Sequence, residues 1–258
     1  MPIAEINTTR IAYSLEGQAG APVLVLSNSL GTTRDMWQAQ AVLQREFRIL
    51  RYDTRGHGES AVPAGPYTID QLGRDVVSLL DHLEIAQAAF CGVSMGGVTG
   101  QWLGVHAPER VSRLVVANTA ARVGTEQAWR DRAALVRAQG LGPIAQATPA
   151  RWFTPDFIET CSDRVGALLD TLRGLSPEGY AACCEALATA DLRTDISRIT
   201  VPVLVVAGLH DPVTTPADAD FIAGQIPGAQ RVDLPASHLS NIEAAGQFND
   251  ALRAFLLA

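Results

Sequence analysis

Gly92-Val93-Ser94-Met95-Gly96 is the stretch on which the reading of this chain turns. It follows an apolar run, Ala88-Ala89-Phe90-Cys91, and precedes Gly97-Val98-Thr99-Gly100-Gln101-Trp102-Leu103, which reads as a helix. Strand, sharp turn and helix form the setting in which G-x-S-x-G makes a nucleophile elbow. Both glycines have a steric task there, because the turn forces strand and helix backbones together and leaves no room for a side chain. The same turn lifts the Ser94 hydroxyl above the edge of a sheet.

At average glycine and serine usage the motif alone arises by chance in roughly one chain in ten of this length. Two further placements carry the reading beyond chance. Val203-Leu204-Val205-Val206-Ala207-Gly208 is a buried-strand run that ends in Leu209-His210-Asp211, and Gln230-Arg231-Val232-Asp233-Leu234 is a shorter strand followed by Pro235-Ala236-Ser237-His238. Ser94, Asp211 and His238 thus each fall just past the C-terminal end of a predicted strand, where open α/β sheets gather their ligands. Serine is a weak nucleophile that needs a base within hydrogen-bond reach. His238 is expected to take and return its proton, while Asp211 holds the imidazole in the right tautomer. Two N–H donors are needed for the oxyanion. Met95 would supply one at the helix N-terminus, and Leu30, in the loop Ser27-Asn28-Ser29-Leu30-Gly31, the other. His210 shares a loop with Asp211 and cannot easily span to Ser94. His57, within Asp53-Thr54-Arg55-Gly56-His57-Gly58-Glu59-Ser60, is expected to be structural, with Asp53 and Arg55 tying turns together.

Strands alternate with helical patterns over most of the chain. Residues 2–16 read as an antiparallel hairpin; Val23-Leu24-Val25-Leu26 and Arg48-Ile49-Leu50-Arg51-Tyr52 read as strands. Thr68 and Gln71 form a capping box, behind which Leu72, Val76, Leu79, Leu80 and Leu83 recur at helical spacing. Val111-Ser112-Arg113-Leu114-Val115-Val116-Ala117-Asn118 is the next strand, and Phe248, Leu252, Phe255 and Leu256 share a face of the final helix. This is an α/β pattern: a mostly parallel sheet flanked by helices. The alternation breaks between residues 122 and 198, a region rich in Ala, Arg and Leu with no strand signal. The expected organisation is a core of residues 1–121 and 199–258 with a helical cap, 122–198, inserted over the strand ends where Ser94 emerges.

Composition narrows the classes of function. An apolar content of 47 % supplies a core and argues against disorder. A net charge of −7 disfavours a nucleic-acid surface, and no apolar stretch approaches a membrane span. Met1-Pro2-Ile3-Ala4-Glu5 carries no signal-peptide features. Cys91, Cys161, Cys183 and Cys184 sit at no zinc spacing and read as reduced thiols of a cytoplasmic protein, so no metal or cofactor is expected. All 20 basic residues are arginine. An anionic ligand that needs a cation must therefore find a guanidinium, which can grip a carboxylate bidentately.

These residues resemble the α/β-hydrolase superfamily across nearly the whole chain, and within it the 3-oxoadipate enol-lactonases. The resemblance rests on Ser27-Asn28-Ser29-Leu30-Gly31-Thr32-Thr33, Arg51-Tyr52-Asp53-Thr54-Arg55-Gly56-His57-Gly58 and Phe90-Cys91-Gly92-Val93-Ser94-Met95-Gly96-Gly97. It rests further on Ala117-Asn118-Thr119-Ala120-Ala121 and Arg151-Trp152-Phe153-Thr154. The resemblance implies an α/β-hydrolase fold with an inserted helical cap, and a serine hydrolase of aromatic-compound breakdown. Its substrate would be a small anionic enol-lactone with an acetate arm, opened by water to 3-oxoadipate. The arm's carboxylate would meet Arg132 or Arg151 under the cap, between Trp129 and Trp152 as apolar walls. A general carboxylesterase or perhydrolase, a carbon–carbon bond hydrolase and a non-catalytic binding protein of the same fold stay open as alternatives.

Overall fold

The computed structural model describes residues 2–258. One eight-stranded sheet organises them, built from β1 (Ile3–Ile6), β2 (Thr9–Glu16), β3 (Val23–Ser27), β4 (Arg48–Tyr52), β5 (Ala88–Val93), β6 (Val111–Ala117), β7 (Val203–Gly208) and β8 (Gln230–Leu234). Their spatial order is β1-β2-β4-β3-β5-β6-β7-β8. The first two strands pair antiparallel, and β2 joins β4 antiparallel; every pairing from β4 to β8 is parallel. Every residue of β5 and β7 is buried, as expected of strands covered on both faces, and this is why they read as unbroken apolar runs.

Helix α1 (Ile69–His82) starts at the Thr68–Gln71 capping box, and its stripe of Leu72, Val76, Leu79 and Leu80 is buried. Helix α2 (Met95–His106) follows the elbow and is buried along almost its whole length, between α1 and strands β3, β5 and β6. A 3-10 stretch, Arg34–Arg45, crosses between β3 and β4 and buries Trp37, whose indole N–H donates to Asn28 Oδ1 at 2.9 Å. Met36, Trp37, Gln40 and Leu43 form its buried face, a stripe at roughly helical spacing.

Between β6 and β7 the chain forms α3 (Glu126–Gln139), α4 (Gly142–Ala147), α5 (Pro149–Trp152), α6 (Pro155–Thr160), α7 (Ser162–Gly174) and α8 (Pro177–Thr189). Prolines at the first turns of α4, α5, α6 and α8 divide it into short pieces. Helices α3 and α8 lie along each other, and Arg137 of α3 clasps Glu178 and Glu185 of α8 at 2.7 and 2.6 Å. The chain closes with α9 (Pro216–Gln225), α10 (Ser240–Glu243) and α11 (Ala245–Leu256), the last burying Phe248, Leu252, Phe255 and Leu256. All four cysteines are unpaired. No helix among the described residues is long and apolar enough to cross a membrane.

Candidate active site

Ser94 stands one residue past β5 with φ at +56°, a backbone region that non-glycine residues rarely enter. A Cβ on Gly92 would lie 2.1 Å from the Gly96 carbonyl oxygen, and one on Gly96 would lie 2.2 Å from that of Ser27. The elbow can therefore form only where both residues lack a side chain. Ser94 N–H is tied across the sheet to Ala117 C=O at 2.9 Å, which fixes the turn that presents the hydroxyl.

The parallel order of β5, β6 and β7 sets the other groups beside it. Asp211 follows β7 and His238 follows β8. His238 Nε2 lies 2.9 Å from Ser94 Oγ, and its Nδ1 lies 2.8 Å from Asp211 Oδ2. All three side chains are buried. Asp211 Oδ1 accepts the Val213 and Thr214 N–H groups at 2.7 and 3.1 Å, and Oδ2 accepts the Thr214 hydroxyl at 2.9 Å. Burial alone would raise this carboxyl. The adjacent His238 and the backbone donors outweigh it and hold the carboxyl below its usual range. Asp211 is thus anionic at neutral pH and aimed at the imidazole, while His238 offers Nε2 to the serine.

The loop after β3 is pinned on nearly every side. Ser27 Oγ meets the Tyr52 hydroxyl at 2.7 Å, Asn28 Nδ2 donates to Tyr52 C=O at 2.8 Å, and Asn28 C=O accepts Gly96 N–H at 3.0 Å. Ser29 N–H reaches Met36 Sδ, and Gly31 N–H donates to His57 Nε2 at 3.1 Å. Within this tied loop the Leu30 N–H has no acceptor among the described residues, and neither has the Met95 N–H at the start of α2. Buried N–H groups are rarely left so without a purpose. His57 forms no hydrogen bond with Ser94 or Asp211. Burial pushes its imidazole down to about 4, so it is neutral, with Nδ1–H toward the Arg55 carbonyl and Nε2 free to accept from Gly31. The rest of its loop ties turns together: Asp53 accepts the Arg34 and Glu59 N–H groups, and Arg55 pairs with Asp75 at 2.6 Å.

A cavity of about 30 Å³ surrounds Ser94 and His238, walled by Ser29, Leu30, Trp152, Leu172 and Tyr180. Trp129, Arg132, Arg151 and Val213 line both it and a wider hollow of about 190 Å³ outside, so they form the mouth between the two. The Arg132 guanidinium lies over the Trp129 ring, 5.0 Å from its centroid, and neither Arg132 nor Arg151 forms an ion pair with a carboxylate among the described residues. Burial and the like charge of Arg132 push the Arg151 guanidinium down from its ordinary value. Two cations face one another at the mouth of a small chamber, an arrangement that an anionic group would relieve. His210 is exposed and lines a separate groove with Phe153, Asp156 and Pro212.

Thr214, the His57–Gly31 bond and Glu243 support the site without a motif in the sequence to mark them. Glu243 accepts the Ser237 N–H at 2.7 Å and the Thr154 N–H at 3.1 Å, joining the His238 loop to the helices above it. Leu239 N–H adds a bond to the Trp152 carbonyl at 3.1 Å. Only Thr214 left a local trace, since an aspartate followed two and three residues later by free N–H groups favours a side-chain-capped turn.

Comparison with known proteins agrees with this geometry. The alpha/beta hydrolase fold family matches residues 22–245. The chain is 53 % identical to 3-oxoadipate enol-lactonase 2 of Acinetobacter baylyi, over 99 % of its own length and 98 % of that protein's. It is 41 % identical to 3-oxoadipate enol-lactonase 1 of the same organism, over 95 % and 92 % of the two chains. The crystal structure of the enol-lactonase from Burkholderia xenovorans LB400 superposes with a TM-score of 0.98 at 46 % identity, covering all of both chains.

Proposed function

This chain belongs to the alpha/beta hydrolase fold family, and from that premise we propose that it opens 3-oxoadipate enol-lactone to 3-oxoadipate through a Ser94 acyl-enzyme. The observation that carries the reading is the continuous hydroxyl–imidazole–carboxylate chain, Ser94 to His238 to Asp211, beneath a mouth with two guanidinium groups. The reaction runs in two halves. His238 Nε2 takes the Ser94 proton as Oγ attacks the ring carbonyl, and Asp211 stabilises the imidazolium that forms. The oxyanion settles on the Leu30 and Met95 N–H groups, and losing one such donor costs about 3 kcal/mol of transition-state stabilisation. Ring cleavage leaves an enol tethered to the acyl group. His238 must protonate it before it closes again, and its tautomerisation to a ketone commits the step. Water, deprotonated by His238, then hydrolyses the ester and restores Ser94.

The helical segment from α3 to α8 acts as a cap, and Arg132 or Arg151 receives the acetate arm between Trp129 and Trp152. A cavity of about 30 Å³ holds one or two water molecules but not a five-membered ring with its arm. The ring would enter past Trp129, Arg132, Arg151 and Val213, and the long arginines can turn aside to admit it.

The test is kcat/KM for 3-oxoadipate enol-lactone, p-nitrophenyl acetate and a ring-cleavage dienoate, each with wild type and Ser94→Ala. The lactone should be strongly preferred, and the substitution should remove about 10⁴-fold or more of the rate. Preference for the neutral aryl ester would make the protein a general carboxylesterase instead. Binding without turnover would make it a receptor-like relative of the enzymes.

A further inference from the structure

We propose that Asn118 is a positioning residue that sets Asp211 and the His238 loop in register with each other; the inference rests on the serine-triad reading above. Strand β6 lies between β5 and β7, so the first residue beyond it has the Ser94 turn on one side and the Asp211 turn on the other. Asn118 is that residue, and it is 1 % exposed. Its Nδ2 donates to Asp211 Oδ2 at 3.2 Å and to the Ser237 carbonyl at 3.0 Å. Its Oδ1 accepts the Ser240 hydroxyl. The orientation of the amide is dictated by its neighbours, since a carboxylate and a carbonyl can only accept and the NH₂ must face them.

One planar group thus grips the acid itself and the residue immediately before the base, and it holds Ser240 on the far side of the same loop. The neighbouring residues reach the third member. Ala117 C=O accepts the Ser94 N–H at 2.9 Å, and the Thr119 hydroxyl donates to the Ser94 carbonyl at 2.8 Å. The junction is built without slack. Asn118 holds φ at +44°, in the left-handed region that asparagine tolerates better than most residues. A Cβ on Gly208 at the end of β7 would lie 2.7 Å from Asn118 Nδ2 and 2.4 Å from the Ser237 oxygen. Asn118, Asp211, Ser237 and Ser240 do not line the cavity, so the amide acts on the alignment of His238 and not on the grip on substrate.

Asn118→Gly tests this, because glycine keeps the left-handed backbone and removes only the amide. Active sites are counted with a fluorophosphonate that labels the serine, and rates are expressed per labelled site for the lactone and for p-nitrophenyl acetate. The expected result is a fall in kcat of about 10- to 100-fold on both substrates, as for catalytic groups misplaced by about an ångström, with KM changed by less than about 2-fold. Asn118→Asp, which sets a second carboxylate against Asp211, should lose at least as much. A merely structural role would lower the number of labelled sites and leave the rate per site within about 3-fold of wild type, and that result overturns the proposal. Should Asn118→Gly fail to accumulate, Ser240→Ala carries the same test: a lowered kcat at unchanged KM supports the proposal, and an unchanged kcat overturns it. Ser94→Ala run alongside separates the two levels. Turnover by Ser94→Ala would sink the triad reading itself, whereas a silent Ser94→Ala beside a normal Asn118→Gly sinks only the role of Asn118.

Discussion

His57 Nε2 accepts the Gly31 N–H at 3.1 Å, and through that bond a residue remote from the serine holds the loop that presents the Leu30 N–H. The bond exists only while the imidazole is neutral. Protonation would set a second N–H against the Gly31 donor in a buried site.

Stability should therefore depend on His57 in mild acid. Its folded imidazole titrates near 4, against an ordinary 6.5, so between those values the unfolded chain binds the proton and the folded chain does not. Stability is present in full above about pH 6.5 and is lost as the pH falls toward about 4, by up to about 3 kcal/mol from this residue. Urea unfolding at pH 7.5, 6 and 5 should show that slope in wild type and a shallower one in His57→Asn. Equal slopes would remove His57 from the account.

At the mouth, Arg132 and Arg151 have no carboxylate partner among the described residues, so their charge remains available to an anion. Arg132→Ala and Arg151→Ala should each be assayed on the anionic lactone and on neutral p-nitrophenyl acetate. If one of them receives the acetate arm, as proposed, its loss should raise KM for the lactone by about 10-fold, matching a charged hydrogen bond, and leave KM for the neutral ester unchanged. Equal effects on both substrates would argue against a carboxylate contact.

Glu243 secures the loop that carries His238 by accepting the Ser237 and Thr154 N–H groups. Glu243→Ala would leave the Ser237 and Thr154 N–H groups and the Thr154 hydroxyl without this acceptor and should cost about 1–3 kcal/mol in urea unfolding. Because Ser237 precedes His238, kcat should fall with stability. A variant as stable and as active as wild type would contradict the contact.

Gly96→Ala should be among the most damaging single methyl additions in the chain. The new carbon would meet the Ser27 carbonyl oxygen at 2.2 Å, and backbone on both sides prevents relief. Destabilisation of about 3 kcal/mol or more is expected, read as loss of soluble protein or a much lowered unfolding midpoint. Near-normal stability would mean that the elbow is looser than drawn.

The parts of this protein that its sequence alone determined are those whose signal is local. Apolar runs at β3, β5, β6 and β7, the Thr68–Gln71 cap and the Gly92–Gly96 elbow each follow from a few consecutive residues and the sterics of strand, helix and turn. The order of Ser94, Asp211 and His238 past three strand ends was legible for the same reason. What tertiary structure decided depends on side chains far apart in the chain: the distances among those three groups, Gly31 on His57, Asn118 between Asp211 and Ser237, and the two arginines without acidic partners. No periodicity records such contacts. They come into being only when the parallel sheet sets its strand ends side by side and the helices from α3 to α8 close over them, and hydrogen-bond geometry then selects which polar groups meet.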